Sequence, residues 1–443
     1  MWFFATLLIL LAAVWIFIQT PFGQNWIISK VTSRLSSDLK TRISIQKVDF
    51  SLFDKMNLKG VLIEDRQRDT ILSAGEVTVR ITDWFFLKKN VELKYIGLKD
   101  AVIKMQRSED SVWRHQFIID YFSTPSSTKK KEGGIVLTLN EIQLDNVRFR
   151  QQDAWLGKDM FVYLHSLKLK ARQVDFSKRL IRLEDLNINS PLIALSNYKA
   201  KKPPVPQEAV VVNDSVAWNP LNWVVQADRL DIRNGTFKND NYDAPYAEEG
   251  FDGRHIDFSS INTSLRNIRW EKDTITGGVE LSTKEKSGFE VKRLTAKMKV
   301  TPREMAFNDL EILTPRSTIR HSFRMSFTDF SEMGDFINKV RMQADFTDTY
   351  LDSDDIAFFA PSLKTWKKKI NLRGRFAGTV ADMAARDVLI QAGEHTMLSG
   401  DISMAGLPDI NRTFIDFKAN DFRTTYGDVA IWVPAIKKVE SPD

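Results

Sequence analysis

Beyond Thr41 the chain alternates apolar and polar residues with a period of two, a rhythm that admits little except strands with one apolar and one wet face. Ile43-Ser-Ile45, Val77-Thr-Val79-Arg-Ile81, Val91-Glu-Leu93-Lys-Tyr95, Leu137-Thr-Leu139, Leu167-Lys-Leu169-Lys-Ala171 and Leu294-Thr-Ala296-Lys-Met298-Lys-Val300 all follow it. Asp, Asn, Gly and Lys separate the strands at short intervals, as in Trp84 to Asn90 and Asp175 to Arg179, which predicts hairpins and meanders. An eight-residue pattern also recurs. Ile96-Gly-Leu98-Lys-Asp100-Ala-Val-Ile103 lines up with Ile142-Gln-Leu144-Asp-Asn146-Val-Arg-Phe149 and with Leu230-Asp-Ile232-Arg-Asn234-Gly-Thr-Phe237, each reading as strand, Asx turn or bulge, strand. A strand unit that cannot bury its apolar face alone needs neighbours to complete it, so an elongated sheet is expected; alternation by itself also fits a set of sandwiches.

The composition is that of a folded chain, with 43% hydrophobic and 27% charged residues over 443 positions. Its 63 Lys and Arg are strewn among 57 Asp and Glu, so the net +6 draws no arginine-rich, aromatic-laced face for nucleic acid. There is no cysteine, hence no disulfide framework and no thiolate metal site, which fits an oxidising compartment.

From Trp2 to Ile18 the sequence runs WFFATLLILLAAVWIFI, with Thr6 its single polar side chain. As a helix it covers about 25 Å, near the lower limit for a hydrocarbon core. A single-pass anchor is expected, carried by Trp2, Phe3, Phe4, Leu7, Leu8, Ile9, Leu10, Leu11, Val14, Trp15, Ile16, Phe17 and Ile18. The apolar run is too long for the core of a signal peptide, and no small-x-small site follows it. Lys30, Arg34, Lys40 and Arg42 follow the span, so a positive-inside count keeps the rest in the cytoplasm; long downstream domains, however, translocate largely regardless of charge. Between Gln24 and Leu39, Ile27, Val31, Leu35 and Leu39 recur at steps of four and predict an amphipathic helix, either interfacial or covering an open end of the sheet.

Ser123 to Gly134 and Lys199 to Gln207 are rich in Ser, Lys, Pro and Gly and read as linkers, and Asn239 to Arg254 as a long loop. The expected organisation is an anchor at 1–20, a helix and first β-module at 21–122, a second module at 135–198, and further β-modules at 208–443. Short helices are expected at Glu332 to Lys339 and around Ser353 to Phe359, the latter capped by Asp352 or Ser353.

Chemistry-bearing motifs are absent from the sequence. His115, His165, His255, His321 and His395 are isolated, with no HxH or HExxH pair, and no GxxxxGK[ST], GxSxG or GxGxxG occurs. Asn239, Asn241 and Asp243 carry the opening spacing of a calcium loop, but Ala244 and Gly250 stand where its glycine and glutamate belong. The acids Asp352, Asp354 and Asp355 read as a helix N-terminus rather than a carboxylate pair. Gly374 and Gly378 form a GxxxG in a polar strand context, outside any apolar span. No catalytic residue, metal or cofactor is expected.

The anchor followed by QTPFGQNWI, the amphipathic helix, ISIQKVDFSLFDKMNLKGVLIEDRQRDTIL, and later LRGRFAGTV, LSGDISMAGLPDI and TTYGDV together resemble the TamB-like branch of the AsmA-like envelope proteins, from Met1 to about Val433. The resemblance implies an inner-membrane anchor and a long periplasmic β-sheet curled into a trough with an apolar interior. It also implies a role in phospholipid passage between the two membranes, or in assembly of outer-membrane proteins beside an outer-membrane barrel. The family's β-rich C-terminal domain has no counterpart in these 443 residues, which reads either as a fragment of a longer chain or as a shortened member and puts contact with such a barrel in doubt for this chain by itself.

The expected fold is therefore mainly β: an N-terminal transmembrane helix, then an elongated, curled antiparallel sheet with a few short helices. The expected role is non-enzymatic, an apolar groove for phospholipid. Val77, Val79, Ile81, Val91, Leu93, Leu294, Ala296, Met298 and Val300 are candidates for its lining, although an ordinary dry core fits each of them equally. An aspartate at Val79 or Met298 is expected to block lipid and leave the sheet folded. The alternative is a scaffold whose strand edges template outer-membrane β-proteins.

Overall fold

The computed structural model describes residues 17, 20–51, 55–81, 91–107, 111–123, 135–175, 178–203, 217–361, 364, 367–393, 395–409 and 412–428. They divide into two compact units, Met1–Ala209 with Lys238–Asp243, and Val210–Phe237 with Ala244–Asp443. This division falls beside the linker at Lys199 to Gln207. Ser123 to Gly134 falls inside the first unit, and its residues 124–134 lie outside the described ones. Both units are mainly β, with few helices.

The first unit opens with α1 (Pro21–Leu39). Thr20 caps it by accepting from the Gly23 N–H at 3.1 Å, Pro21 supplies a preset φ at its start, and Lys40 ends it in the left-handed conformation. There follow β1 (Ile43–Ser44), β2 (Lys47–Ser51), β3 (Lys55–Glu64), β4 (Thr70–Ile81), β5 (Val91–Arg107), α2 (Gln116–Ser123), β6 (Ile135–Asp153), β7 (Lys158–Asp175) and β8 (Leu180–Asn197). β1 and β2 both pair with β3, and the rest pair in sequence, antiparallel with one exception. β5 and β6 run parallel, which corrects the expectation of an antiparallel sheet throughout. Parallel neighbours need a long crossover, here residues 108–134 with α2 within it, and alternation alone does not distinguish the two directions.

The second unit contains β9 (Val224–Asn241) up to Phe237, β10 (His255–Glu271), β11 (Thr274–Glu285), β12 (Glu290–Thr301), β13 (Glu304–Leu313), β14 (Thr318–Ser326), a 3₁₀ turn (Phe330–Asp335), α3 (Phe336–Lys339), β15 (Arg341–Asp352), α4 (Ser353–Ile356), β16 (Lys369–Gly378), β17 (Asp382–Ala392), β18 (Thr396–Ala405) and β19 (Phe414–Arg423). β9 pairs with β10, and from β10 to β19 each strand is antiparallel to the next. The helices near 332 and 353 fall where the sequence placed them, and Asp352 caps α4 by accepting from the Asp354 N–H at 2.9 Å. The strong curl expected from the resemblance is not found.

Among the described residues no helix is long and apolar enough to cross a membrane. Of the anchor expected at Trp2 to Ile18 only Phe17 is described, its ring edge-on to Phe22 at 6.0 Å; the remainder lies outside the described residues.

Many strands reverse their inside–outside phase at mid-length, on a residue of positive φ. Asp100 (51°), Asn146 (53°) and Asn234 (51°) are the central residues of the recurring sequence pattern. Ser190 (44°), Asn267 (53°), Asp309 (50°), Asp348 (44°) and Asp387 (51°) do the same in other strands. In the first unit the reversals lie level with one another. Lys59 opposes Glu76, and Val61 opposes Ala74; Glu76 in turn opposes Lys99, and Ala74 opposes Ala101; the same step then passes to Asp145 and Val147, to Ser166 and Leu164, and to Asn189 and Pro191. Apolar residues therefore sit four and two positions before the reversal and one and three after it, on one and the same face. Asp and Asn tolerate the left-handed region; β-branched residues do not. Asp348→Val should cost about 1–2 kcal/mol and lower the urea midpoint, whereas Asp348→Gly should stay close to the parent. Equal midpoints for Val and the parent would contradict this role of the reversal.

Candidate functional site: the apolar face

The apolar face is roofed at one place. Ile45, Val48, Met56, Val61, Ala74, Val79, Ala101 and Val147 form a dry core, with Ile28 of α1 packed against it and Leu39 of the same helix buried. Val48 is 1% exposed and Val79 8%. Of the predicted groove residues, Val77 and Val79 thus belong to a roofed core, and α1 plays the covering role considered for the amphipathic helix. Ile81 pairs with Leu93, and Val91 with Ile135, but the side chains of Ile81, Val91 and Leu93 lie outside the described residues.

In the second unit the pattern differs. Leu294, Met298 and Val300 are half-buried, and only the small Ala296 is buried, at 8%. The four occupy alternate positions opposite Leu281, Val279, Gly277 and Ile275 of β11. Two registers continue the face across the later strands. One passes from Met298 to Phe307, Phe323, Ala344, Phe376, Ala385, Ile402 and Phe417. The other passes from Val300 to Met305, Met325, Met342, Gly378, Met383, Met404 and Ile415. At about 4.8 Å per strand, seven steps make a row about 34 Å long, comparable to the roughly 30 Å of a bilayer's hydrocarbon.

Burial along these rows separates small from large. On this face Leu310, Ala344, Ala385 and Val388 are buried, whereas Met305, Phe307, Phe323, Met325, Met342, Phe376, Met383 and Ile402 are half-buried. The large side chains are thus partly covered and partly accessible. The five methionines of the second row sit on β13, β14, β15, β17 and β18, presenting flexible, polarisable thioethers that adapt to irregular apolar shapes. Gly374 and Gly378, φ 148° and 134°, lie on this face, where an added Cβ at Gly378 would meet the Asp382 carbonyl oxygen at 2.2 Å. The GxxxG spacing therefore serves close strand approach.

The opposite face is a lattice of cross-strand ion pairs: Lys299 to Glu304 at 3.2 Å, Arg320 to Glu311 at 3.0 Å, Lys297 to Asp309 at 2.7 Å and Arg386 to Asp401 at 2.8 Å. The hydrogen bond from Lys297 holds the Asp309 carboxyl below the usual carboxylate range, and that from Arg386 does the same for Asp401. Exposed pairs contribute little individually, but a one-residue slip would turn every one of these charges toward the apolar side.

The isolated polar residues find structural roles. The Asp355 carboxylate accepts from Thr314 Oγ1 at 2.5 Å and Ser317 Oγ at 2.7 Å, and Asp354 accepts from Lys367 at 2.7 Å. Asn239 accepts from Asn197, and Asn241 from the Asp243 N–H. His115 is buried beside Trp113, with ring centroids 5.3 Å apart, and burial lowers its pKa. His255, 1% exposed, stacks on Tyr246 at 3.7 Å. His165 is exposed, His321 lies 3.7 Å from Asp345, and the His395 N–H donates to Asp428. Among the described residues no three His, Asp or Glu converge as metal ligands.

Fold and site together define a β-sheet protein with a half-open apolar face. No known protein family matches the chain, and no curated protein matches it.

The burial contrast separates two of the candidate positions. Val79→Asp places an unpaired carboxylate in the first unit's dry core and should cost about 3 kcal/mol or more; Met298→Asp keeps its carboxylate at a half-buried position and should cost about 1 kcal/mol or less. The aspartate at Val79 is thus expected to disrupt the first unit's core rather than leave it folded. Urea unfolding of the two variants checks this, and similar midpoints would refute the distinction.

Proposed function

We propose that the chain is a non-enzymatic, inner-membrane-anchored periplasmic protein whose apolar sheet face carries phospholipid acyl chains between the inner and outer membranes. The observation that supports this most directly is the pair of half-buried Met and Phe rows from Met298 and Val300 to Phe417 and Ile415. An acyl chain lying along them gains about 0.8 kcal/mol per fully buried CH₂, and about half of that where one side stays open. The tail needs only a continuous apolar track, while the headgroup remains in water. No bond is made or broken, so no catalytic group is required. The anchor at Trp2 to Ile18, the periplasmic location and the passage between membranes rest on the sequence and its resemblance to the TamB-like proteins.

A second reading, a scaffold for outer-membrane β-proteins working with a barrel partner, draws support from β19. Among the described residues it pairs with β18 alone, and it exposes Phe414 by 70%, Phe422 by 55% and Ile415 by 50%. An unpaired edge of this kind accepts an incoming strand.

Residues 20–443, which keep α1 over the first unit's core, should retain phospholipid in near-stoichiometric amounts after detergent removal, read by mass spectrometry. Phe323→Asp should reduce that amount by roughly tenfold, the factor that ~1.4 kcal/mol represents. Lipid-free parent protein, with crosslinks from β19 to nascent barrel proteins, would transfer the assignment to the scaffold.

A further inference from the structure

The charged face of the second unit departs from its own pattern at one place. Where β9, β10, β11 and β12 adjoin, a cleft of about 480 Å³ opens, within the range of small-ligand sites. Five cations line it, Arg229, Arg233, Arg266, Lys292 and Arg293, against two acids, Asp231 and Glu280. Elsewhere on this face Lys299 pairs with Glu304, Lys297 with Asp309 and Arg386 with Asp401 across strands, whereas in the cleft five cations meet two acids.

Both acids are committed. Asp231, 5% exposed, accepts from Arg229 Nε at 2.6 Å and from Ser264 Oγ at 2.8 Å. Burial acts to raise its pKa, but these donors outweigh it and hold the carboxyl below the usual range. Asp231 is thus a fixed anion that positions Arg229 and Ser264. Glu280 lies 3.3 Å from Arg293. Arg233, Lys292 and Arg266 have no ion pair among the described residues, and Arg266 attracts Asp231 at longer range. The register explains the convergence. Arg229, Asp231 and Arg233 alternate with the apolar Leu230 and Ile232 along β9. A register irregularity between Leu281 and Thr283 places both Lys292 and Arg293 opposite Ser282.

We propose that this cleft binds a phosphate-bearing anion, with Arg233, Arg266 and Lys292 as the charge-neutralising donors and the Asp231-held Arg229 and Ser264 as the preorganised floor. Arginine forks and a lysine point charge match the geometry and charge of phosphate oxygens. None of Leu294, Ala296, Met298 and Val300 lines the cleft, although Leu281, which opposes Leu294, does, so the site is distinct from the rows proposed as the lipid track. It therefore stands or falls separately. A phosphomonoester-like anion in solution and a phosphodiester headgroup share this chemistry, and the test distinguishes them.

Full-length protein in neutral detergent at low salt is titrated calorimetrically with inorganic pyrophosphate and, separately, with glycerophosphoglycerol, the deacylated headgroup of phosphatidylglycerol. Saturable binding of at least one probe, weakened about tenfold or more in Arg233→Gln/Arg266→Gln/Lys292→Gln and by added salt, is expected. Tighter pyrophosphate identifies a free phosphate ligand; tighter glycerophosphoglycerol identifies a headgroup. The control is Arg320→Gln/Arg324→Gln on the same charged face, which should leave binding unchanged. No saturable binding of either probe, or an equal loss in the control, would overturn the proposal; circular dichroism confirms that the exposed substitutions leave the strands intact.

Discussion

Everything else in this molecule depends on keeping one face of the sheet apolar while the strands bend. A strand presents opposite sides at successive residues, so any extra residue exchanges the faces beyond it. Here Asp100, Asn146, Ser190 and Asn234, and in later strands Asp309, Asp348 and Asp387, absorb the extra residue in a left-handed conformation. The apolar phase shifts by one along the sequence at the same point, so Ile96 and Leu98 share a face with Ala101 and Ile103. Sequence phase and backbone conformation compensate each other, and neither alone would give a coherent surface.

Two environments follow from how that surface is covered. Under α1 the face closes over Val48, Val61 and Val79, which provide the first unit with a dry core. In the second unit the face stays half open, and bulk is carried by half-buried methionine and phenylalanine. A dry sandwich would bury those same residues, because an opposing layer fills the space above them. Charge pairs on the other face keep the sheet from presenting its apolar side in the wrong register, and at the β9–β12 cleft cations outnumber acids.

The strands, the α1 helix, the short helices near 332 and 353 and three of the reversal residues were legible in the sequence, because each leaves a local periodic or capping signature. Ser190, Asp309, Asp348 and Asp387 escaped: serine is not an Asx residue, and neighbours such as Thr349 blur the apolar phase around the others. The parallel pairing of β5 with β6 was hidden because alternation is the same in either direction. The division of the candidate lining into roofed Val77 and Val79 and open Met298 and Val300 depends on where α1 lies, which no strand sequence records. The cleft was illegible for a different reason: its charges come from four strands, and along the chain each looks like one more cation among acids.

Because the chain has no cysteine, single cysteines report cleanly on the two faces. The most direct test of the account labels Met325→Cys, on the apolar row, and Arg324→Cys, on the charged face of the same strand, with a small fluorophore and measures quenching by brominated phospholipid. The account predicts strong quenching at 325 and little at 324. Equal quenching at both positions, or none at 325, would contradict a lipid-accessible apolar face.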